Sequence, residues 1–318
     1  MTGPLGKPES LRDAYGKALL TLGERDPNLV VFDADLSGST RTILFGQKFP
    51  DRFFNVGVME PTMMSMAAGM ALQDRTVYAS TFAVFAAGQA YNFVRQSICY
   101  NRANVKIVAT HGGMLVGADG GTHQMVEDIG LMRGLPGMTV IVPADAPTTR
   151  AATFAVAERD GPAYIRLTRE NLPTVTDGSF AIGKAAELRS GSDLTIVAVG
   201  ALVARALEVA EELAQVGVST RVLDFASVKP FDAPALLRAA RDTGALLVLE
   251  EHSVLTGVGA LVASAVAENY PVPVRRVGVP DLFGESGEPW SLLDRYGMSK
   301  ERIRDEAWEL LRGRGKVQ

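Results

Sequence analysis

The amino-acid sequence predicts an α/β fold with two domains, each a mostly parallel sheet flanked by helices. Short runs rich in valine and isoleucine recur along the chain, and such continuous apolar runs are typical of strands buried on both faces. Segments with helical spacing separate most of the runs, which is the alternation of a helix-covered parallel sheet. The 318 residues are 47% apolar, enough to bury two cores of ordinary size.

The first half of the chain contains a clear series of these elements. Its predicted strands are NLVVFDADL, TVYASTF, NVKIVATH, MTVIVPAD and AYIRLT. The spacing of apolar residues between them predicts helices over residues 86–101, 124–133 and 146–159. We therefore expect a first domain over residues 1–176.

The second half resumes the alternation after a break. Residues 171–183, NLPTVTDGSFAIG, are rich in turn-forming residues and predict a linker. Beyond it, the runs DLTIVAVG, STRVLDFA, GALLVLEEH and VPVRRVGV predict the strands of a second domain, over residues 177–318.

The composition argues against several functional classes. The formal net charge is −4 and no basic stripe is present, so we do not expect nucleic acid as a partner. The single cysteine, Cys99, allows no intramolecular disulfide and indicates a reducing compartment. The first residues lack a secretory signal, and no run reaches the roughly 18 apolar residues of a membrane span. We expect a cytoplasmic protein without membrane contact.

Polar side chains follow the predicted strands of the first domain. Asp35 and Ser39 come after the first strand, Glu60 after the run FFNVGVM, His111 after NVKIVAT and Arg169 after AYIRLT. Each alone is compatible with an ordinary solvated loop residue. Together they indicate a site, because ligands gather at the carboxyl ends of parallel strands.

Glu60 lies between two segments that both look buried. The run before it is apolar, and the run after it, PTMMSMAAGMAL, contains no charge. An ionised carboxylate in such surroundings costs several kcal/mol or more unless it finds partners or takes up a proton. The charge-free helix that follows is apolar nearly all round, as expected for burial or for a subunit interface.

The loop THGGMLVGADGGTHQ, residues 110–124, combines five glycines, two of the three histidines and one aspartate. Glycine allows the backbone to approach a ligand closely. His111, His123 and Asp119 could form a metal site, but neither HxxxH spacing nor a cysteine accompanies them. The histidines could also simply bond loop carbonyls. Two imidazoles and a carboxylate suit a hydroxyl-rich substrate better, because they donate, accept and transfer protons.

Phe82 and Phe85 are three residues apart and would be core residues if taken alone. Beside a buried carboxylate they could form a flat apolar slot for a heteroaromatic ring. No P-loop, no GxGxxG after a strand and no nucleophile elbow is present, so the usual nucleotide and hydrolase signatures are missing.

Four motifs in order resemble the C-terminal half of transketolase, which comprises its pyrimidine-binding domain and its C-terminal domain. The motifs are FFNVGVMEPTMMSMAAGMAL, ASTFAVF, VGADGGTHQ and IRLTRENL. The resemblance spans nearly the whole chain and is weaker in the second half. It implies a two-domain α/β fold and a thiamine diphosphate cofactor bound between two chains or two halves.

The resemblance assigns the cofactor-binding residues. Glu60 matches the catalytic carboxylate that shares a proton with nitrogen 1′ of the aminopyrimidine, so that this ring can remove the proton from carbon 2 of the thiazolium. Phe82 and Phe85 match the residues that hold the pyrimidine, and Asp35 matches an aspartate near the cofactor and the subunit contact. Two departures stand out: Gly88 replaces a third aromatic residue, and the spacing from Phe85 to Arg95 is one residue longer than the family pattern.

The resemblance also assigns a substrate site for sugar phosphates. Arg12, Ser39, His111 and Arg169 fall where transketolases bind the sugar phosphate, and arginine forks suit phosphate oxygens. Asp119 and His123 match residues that face the hydroxyls and carbonyl of the ketose, His123 as a second catalytic residue. Alone, Arg12 and Arg169 would be ordinary surface cations.

The chain lacks the GDG…N motif with which the family holds the diphosphate through a divalent ion. We therefore expect no metal ligands in this chain and one half of a split transketolase. An N-terminal subunit would bind Mg²⁺ or Ca²⁺, and two copies of each subunit would form an α2β2 assembly. The pair would transfer a two-carbon ketol unit from a ketose phosphate to an aldose phosphate.

Two other functions stay open at this point. The first is another thiamine-dependent activity, as the β subunit of a 2-oxo acid dehydrogenase or a deoxyxylulose-phosphate-synthase-like enzyme. The second is a non-catalytic binding subunit. The combination of His111 with Arg12, Ser39 and Arg169 favours sugar phosphates over the first, and the intact Glu60 argues against the second.

Overall fold

The computed structural model describes residues 5–315. The strands, in chain order, are β1 (Pro8–Ser10), β2 (Val30–Asp33), β3 (Phe53–Asn55), β4 (Val77–Phe82), β5 (Val105–Thr110), β6 (Thr139–Ile141), β7 (Ala163–Arg166), β8 (Asn171–Pro173), β9 (Ala186–Arg189), β10 (Leu194–Ala198), β11 (Thr220–Asp224), β12 (Ser227–Lys229), β13 (Leu246–Ser253) and β14 (Val274–Val279).

The α-helices are α1 (Leu11–Arg25), α2 (Ser37–Thr40), α3 (Ile43–Lys48), α4 (Glu60–Ala71), α5 (Tyr91–Phe93), α6 (Asp128–Arg133), α7 (Ala146–Ala157), α8 (Leu202–Gln215), α9 (Ala233–Thr243), α10 (Val258–Asn269), α11 (Pro289–Leu293) and α12 (Lys300–Arg312). Short 3₁₀ segments span Pro50–Arg52 and Met114–Asp119, and π-helical turns span Val84–Gln89, Val94–Cys99 and Asp294–Met298.

The larger sheet has the strand order β12-β6-β7-β5-β4-β2-β3 and is parallel except for β12. Every residue of β2, β4, β5 and β7 is buried, which explains why these strands are continuous apolar runs rather than alternating ones. Strand β12 comes from the second half of the chain and pairs antiparallel with β6. The second half therefore completes one edge of the sheet that the first half builds.

The smaller sheet has the order β14-β13-β10-β11-β9, with β9 antiparallel to β11 at one edge. Helices α8 and α12 pack together, as do α9 and α10, and the helices contact the strands of this sheet. The predicted fold class, two α/β units with mostly parallel sheets, is confirmed. The boundary near residue 177 stays a prediction.

Three predicted elements need correction. Within the predicted linker, residues 171–173 form β8, which pairs antiparallel with β1. The predicted helix over 124–133 begins only at Asp128, because the residues before it close the preceding loop. The helix predicted over 86–101 is interrupted by π-helical turns, in one of which the Ala90 N–H donates to the Phe85 carbonyl five residues back. A π turn takes up one residue more than an α turn, which accommodates the longer spacing after Phe85.

Two further features concern the single cysteine and membrane crossing. Cys99 is a free cysteine in the apolar core. Within residues 5–315, no helix combines the length and the apolar character that crossing a bilayer would require.

Candidate functional site

The carboxyl ends of β2, β3, β4 and β5 meet at one edge of the larger sheet. In the strand register, Asp33 at the end of β2 pairs with Asn55 on β3 and with Ser80 on β4, and Phe82 at the end of β4 pairs with Thr110 on β5. The loops that leave these strands therefore start side by side. All the predicted site residues except Arg12 lie at these strand ends, in these loops, in the loop after β7 or at the helix that β3 leads into.

Glu60 is the first residue of α4 and is buried, with 1% of its surface exposed. Its Oε2 atom has no hydrogen-bond partner among the described residues. The position at a helix N-terminus favours a negative charge and offsets part of the cost of burial. The preceding Val58 and Met59 are 74% and 54% exposed, so the chain passes from an exposed apolar segment to the buried carboxylate within one residue. An oxygen without a partner is available to accept a hydrogen bond from a bound molecule.

Aromatic rings and imidazoles pack together at the ends of β4 and β5. The Phe82 ring stacks on the His111 ring with 3.8 Å between centroids, and it lies 5.9 Å from the Phe85 ring at an angle of 11°. His123 meets Phe85 edge-on at 5.6 Å. Stacked rings normally lie about 4.5–7 Å apart, so no third ring fits between the two phenylalanines. A heteroaromatic ligand would lie beside the pair, against the half-buried Phe85.

His111 is buried and in a left-handed backbone conformation with φ 58°. Its Nδ1 is 2.9 Å from the hydroxyl of Thr110. Burial, together with the charges of Arg12 and Arg169, lowers the pKa of His111 to about 3. The imidazole is therefore neutral at physiological pH and can donate or accept one hydrogen bond at each nitrogen.

Arg12 and Arg169 face the same region from α1 and from the loop after β7. Arg12 Nη1 donates to the Ser39 carbonyl at 3.1 Å, and Arg169 Nη1 donates to the Val116 carbonyl at 2.7 Å. The Asp119 carboxylate lies 3.5 Å from Arg169. Burial lowers the pKa of Arg12, and the charges of Arg41 and Arg169 lower it as well. The carboxylates of Asp13 and Glu170 act on Arg12 in the opposite direction, so the cluster combines cations that can bind an anionic ligand with carboxylates that hold them in place.

Arg41 is a cation of this cluster that the sequence analysis missed. It follows α2 in a left-handed conformation with φ 70°, and its Nε lies 2.7 Å from an Asp13 carboxylate oxygen. The charge of Arg41 lowers the pKa of Arg12, so Arg41 lies near the proposed phosphate site. The only signal in the sequence is its position two residues after Ser39.

Asp33 holds the loop that carries Asp35 and Ser39. It accepts hydrogen bonds from the Leu36 N–H at 2.6 Å and from the hydroxyls of Thr40 and Thr42 at 2.7 Å each. Burial raises its pKa, against the effect of these donors. Asp35 itself is exposed and accepts a hydrogen bond from Asn55 Nδ2 at 2.9 Å, so it lies at the rim of the site.

The geometry thus joins most of the predicted residues by contacts. One set combines Phe82, Phe85, His111 and His123, and two further pairs join Arg12 with Ser39 and Asp119 with Arg169. Glu60 lies on α4, which packs against β4, the strand that ends in Phe82. In the part of the chain that the structure describes, no group of three or more His, Cys, Asp or Glu residues is arranged to hold a metal ion.

Comparison with known families decides what kind of protein carries this site. Residues 7–175 match the family described as transketolase, pyrimidine binding domain, and residues 183–303 match transketolase, C-terminal domain. The chain belongs to the transketolase family.

The resemblance found in the sequence is thereby confirmed, and individual relatives of this transketolase-family chain are similar over their whole length. It is 42% identical to a putative transketolase C-terminal section of Methanocaldococcus jannaschii, over 94% of this chain and 95% of that protein. It is 41% identical to the 6-deoxy-6-sulfo-D-fructose transketolase subunit SqwH of Clostridium sp., over 94% of each. A solved structure described as a split gene transketolase, inactive beta4 tetramer, superimposes with a TM-score of 0.88 at 46% identity, over 96% of this chain and 99% of that one.

Membership in the transketolase family implies dependence on thiamine diphosphate, and the residues present fit one half of that cofactor. The unpartnered Oε2 of Glu60 is an acceptor for a protonated ring nitrogen. The half-buried face of Phe85 is a surface on which an aminopyrimidine ring can stack. Among residues 5–315 there is no matching site for the divalent ion that accompanies the diphosphate.

Proposed function

We propose that this chain is the C-terminal subunit of a split, thiamine diphosphate-dependent transketolase. It transfers a two-carbon ketol unit from a ketose phosphate to an aldose phosphate, and it is active only with an N-terminal subunit. The observation that carries this proposal is the buried Glu60, whose Oε2 has no partner in the described chain and which directly follows the exposed Val58 and Met59.

The extent of the chain supports the split organisation. Relatives that it matches over nearly their full length are themselves named as a section or a subunit of a transketolase. The similar split gene transketolase is described as an inactive β tetramer, and we propose that the present chain is likewise inactive without a second chain. We propose two copies of each subunit, with this chain forming the central dimer.

The exposed face of α4 supports a partner surface. Met66 is 46% exposed, and Leu72, just beyond the helix, is 61% exposed. Val58 and Met59, which precede Glu60, are exposed as well, and we call these four apolar residues on and around α4 the α4 strip. Exposed apolar residues grouped around one helix favour an interface over a solvated surface. The partner that covers it would bring the diphosphate and Mg²⁺ or Ca²⁺ to the site.

The cofactor supplies a carbanion equivalent that carries the two-carbon unit, and the residues of this chain bind and orient it. Glu60 would accept a hydrogen bond from nitrogen 1′ of the pyrimidine and hold the proton at that atom, because its Oε2 is buried without a partner in the described chain. Phe82 and Phe85 provide the apolar surface for the ring, and Asp35 lies at the rim near the subunit contact.

The second set of residues binds the sugar phosphate. Arg12, Arg41 and Arg169 bind the anionic end, with Ser39 beside them. The neutral His111, with His123 and Asp119, faces the hydroxyls and carbonyl, and His123 moves a proton at the sugar oxygens. Phosphate and sulfonate are both tetrahedral anionic groups, and an arginine cluster can bind either. The assay should therefore include sulfonated as well as phosphorylated ketoses, since one relative is named for a sulfosugar.

The test is reconstitution from purified subunits. This chain, an N-terminal transketolase subunit from the same organism, thiamine diphosphate and Mg²⁺ are mixed, and chain exchange between a ketose phosphate and an aldose phosphate is followed. We expect turnover in the complete mixture and none when either polypeptide or the cofactor is omitted. Robust turnover by this chain alone, or an assembled complex that is inactive on every ketose tried, would contradict the proposal.

A further inference from the structure

The loop between β5 and α6 carries Asp119 and His123, and the second domain contacts it at both ends. The loop includes the 3₁₀ segment Met114–Asp119, and most residues of that segment are buried although they lie outside both sheets. A loop that is buried in this way takes its shape from what packs against it. Two parts of the second domain supply those contacts, namely Glu251 on β13 and the segment of residues 284–289.

Glu251 binds the beginning of the loop. Its Oε1 atom accepts a hydrogen bond from the Leu115 N–H at 2.6 Å, and the Met114 N–H also donates to the carboxylate. Glu251 is 2% exposed, and a Cβ atom added at Gly113 would lie only 2.4 Å from its carboxyl carbon. The glycine therefore allows the loop backbone to approach the carboxylate closely.

Arg166 on β7 connects Glu251 to the first domain. Its Nη2 donates to the Glu251 carbonyl at 2.9 Å, its Nη1 lies 3.8 Å from Glu251 Oε2, and its Nε lies 3.1 Å from Asp128 Oδ2. All three side chains are almost fully buried. Buried ion pairs contribute little net stability, because desolvation offsets their attraction. Stability alone therefore does not explain why these three charged side chains are buried together.

The segment of residues 284–289 covers the rest of the loop. Gln124 Nε2 donates to the Glu285 carbonyl at 2.9 Å. An added Cβ atom would lie 2.7 Å from Pro289 at Gly117 and 2.5 Å from the Gly284 carbonyl oxygen at Gly121. The glycines of the loop thus let it pack flat against the second domain.

The anchored loop in turn fixes Arg169. The Val116 carbonyl, one residue beyond the N–H that Glu251 binds, accepts the hydrogen bond from Arg169 Nη1. The same loop places the Asp119 carboxylate 3.5 Å from Arg169. A short sequence of contacts therefore runs from β13 of the second domain to the arginine proposed to bind the substrate anion.

We propose that Glu251 is a positioning residue, through which the second domain fixes the loop of residues 111–124 and sets Arg169 in place for the anionic end of the substrate. This rests on the proposed transketolase function. The second domain, whose sheet contributes none of the residues assigned to the cofactor or the sugar, is then part of the substrate site.

Glu250 provides a matched control next to Glu251. It is equally buried, with 1% exposed, and it also accepts two backbone hydrogen bonds, from the Val258 and Gly259 N–H groups at the start of α10. Those bonds stay within the second domain. A purely structural role would make the two glutamates equivalent in every measurement that concerns the loop or the substrate.

The first arm of the test measures amide hydrogen exchange by mass spectrometry and needs no turnover. In the purified chain, Glu251→Met should raise the exchange rate of the peptide covering residues 112–125 by about tenfold, while Glu250→Met should not. Glu251→Gln keeps one oxygen that can accept the Leu115 N–H and should give an intermediate rate. It also keeps the test available if the methionine variant does not fold.

The second arm uses the reconstituted complex. Glu251→Met should raise the KM for a phosphorylated aldose about tenfold with kcat nearly unchanged, and leave the KM for an unphosphorylated aldehyde as it is. In the Arg169→Ala background, Glu251→Met should have no further effect on KM, because Glu251 affects substrate binding only through the Arg169 side chain.

The proposal is overturned by unchanged exchange in Glu251→Met, by an equal KM increase in Glu250→Met, or by additive effects with Arg169→Ala. An inactive wild-type complex would instead overturn the proposed function. In that case the exchange measurement still decides whether Glu251 fixes the loop.

Discussion

The imidazole ring of His111 lies flat on the phenyl ring of Phe82, with 3.8 Å between centroids and 22° between planes. Phe82 belongs to the aromatic pair proposed to hold the cofactor, while His111 lies close enough to Arg12 and Arg169 for their charges to affect its pKa. The contact is therefore where the cofactor end of the site meets its anion-binding end. Stacking on a buried ring also leaves the imidazole little freedom to rotate.

His111 should act as a neutral hydrogen-bonding group, because burial lowers its pKa to about 3. Its charge state then does not change between pH 5 and 9. We expect His111→Asn to lower kcat/KM by about 10–100-fold, the effect of losing a buried hydrogen bond, without changing the shape of the pH profile. Steady-state kinetics from pH 5 to 9 provide the measurement. Loss of an ionisation near pH 6–7 in the variant would show that His111 titrates in that range.

Arg169 should bind the substrate anion rather than take part in the chemistry. Arg169→Ala is expected to raise the KM for phosphorylated substrates by about 10–100-fold with a small effect on kcat. The reason is the loss of a charge-assisted hydrogen bond that the arginine makes equally with the bound substrate and with the transition state. Arg150, exposed on α7, is the control, and Arg150→Ala should leave both constants unchanged. A fall in kcat alone would assign Arg169 to the transition state instead.

The sequence predicts the sheet cores well and the unusual backbone poorly. β4 and β5 are recognisable because every residue is buried, so their apolar runs are unbroken. β8 is only three residues long and pairs with β1 across the whole first domain, and so short a strand has no periodicity to detect. The π turn at Phe85 is set by which carbonyl accepts the Ala90 N–H, which the apolar pattern does not encode.

The same distinction applies to the site. The burial of Glu60 could be predicted, although only one of the two apolar segments beside it is itself buried: α4 has a buried face, whereas residues 53–59 are half-buried or exposed. The position of Glu251 could not, since it contacts Leu115 at a separation of 136 residues and lies in an ordinary strand pattern. Arg41 was missed because a single arginine near a loop is usually a solvated cation.

The α4 strip should be the surface that the N-terminal subunit covers. Met66→Glu is expected to weaken assembly with that subunit by tenfold or more, because the interface would then bury a charge in an apolar contact. About half of the Met66 surface is exposed in the free chain, so the chain itself should tolerate the glutamate. Analytical ultracentrifugation of titrated mixtures gives the affinity. Val216, 61% exposed just beyond α8, is the control site, and Val216→Glu should assemble normally. Equal affinities for the two variants would place the interface elsewhere.

Asp224 should make the protein less stable as the pH rises. Burial, together with the neighbouring charge of Asp145, raises the pKa of Asp224 to about 8. The folded state therefore favours the protonated carboxyl. Its stabilising contribution is complete below the unfolded pKa of about 4 and is lost as the pH rises through 8.

The Asp224→Asn variant tests this dependence. Asparagine cannot ionise and can still accept the Ala226 N–H, so the variant should melt about 3–8 °C higher than the wild type at pH 8.5, with the difference vanishing near pH 4. Thermal unfolding at a series of pH values is the measurement, and Asp51→Asn on the exposed surface is the control. A difference that grows toward low pH would have the wrong sign.

The exchange of the proton on carbon 2 of the thiamine thiazolium with solvent deuterium, measured in the two-subunit complex, tests the role of Glu60 most directly. Glu60 is buried with an unpartnered oxygen, so Glu60→Gln should leave the melting temperature of the chain unchanged or higher. The account predicts that this variant slows the exchange by about 100-fold or more, the size expected for loss of a general acid–base contribution. An exchange rate equal to that of the wild-type complex would contradict it.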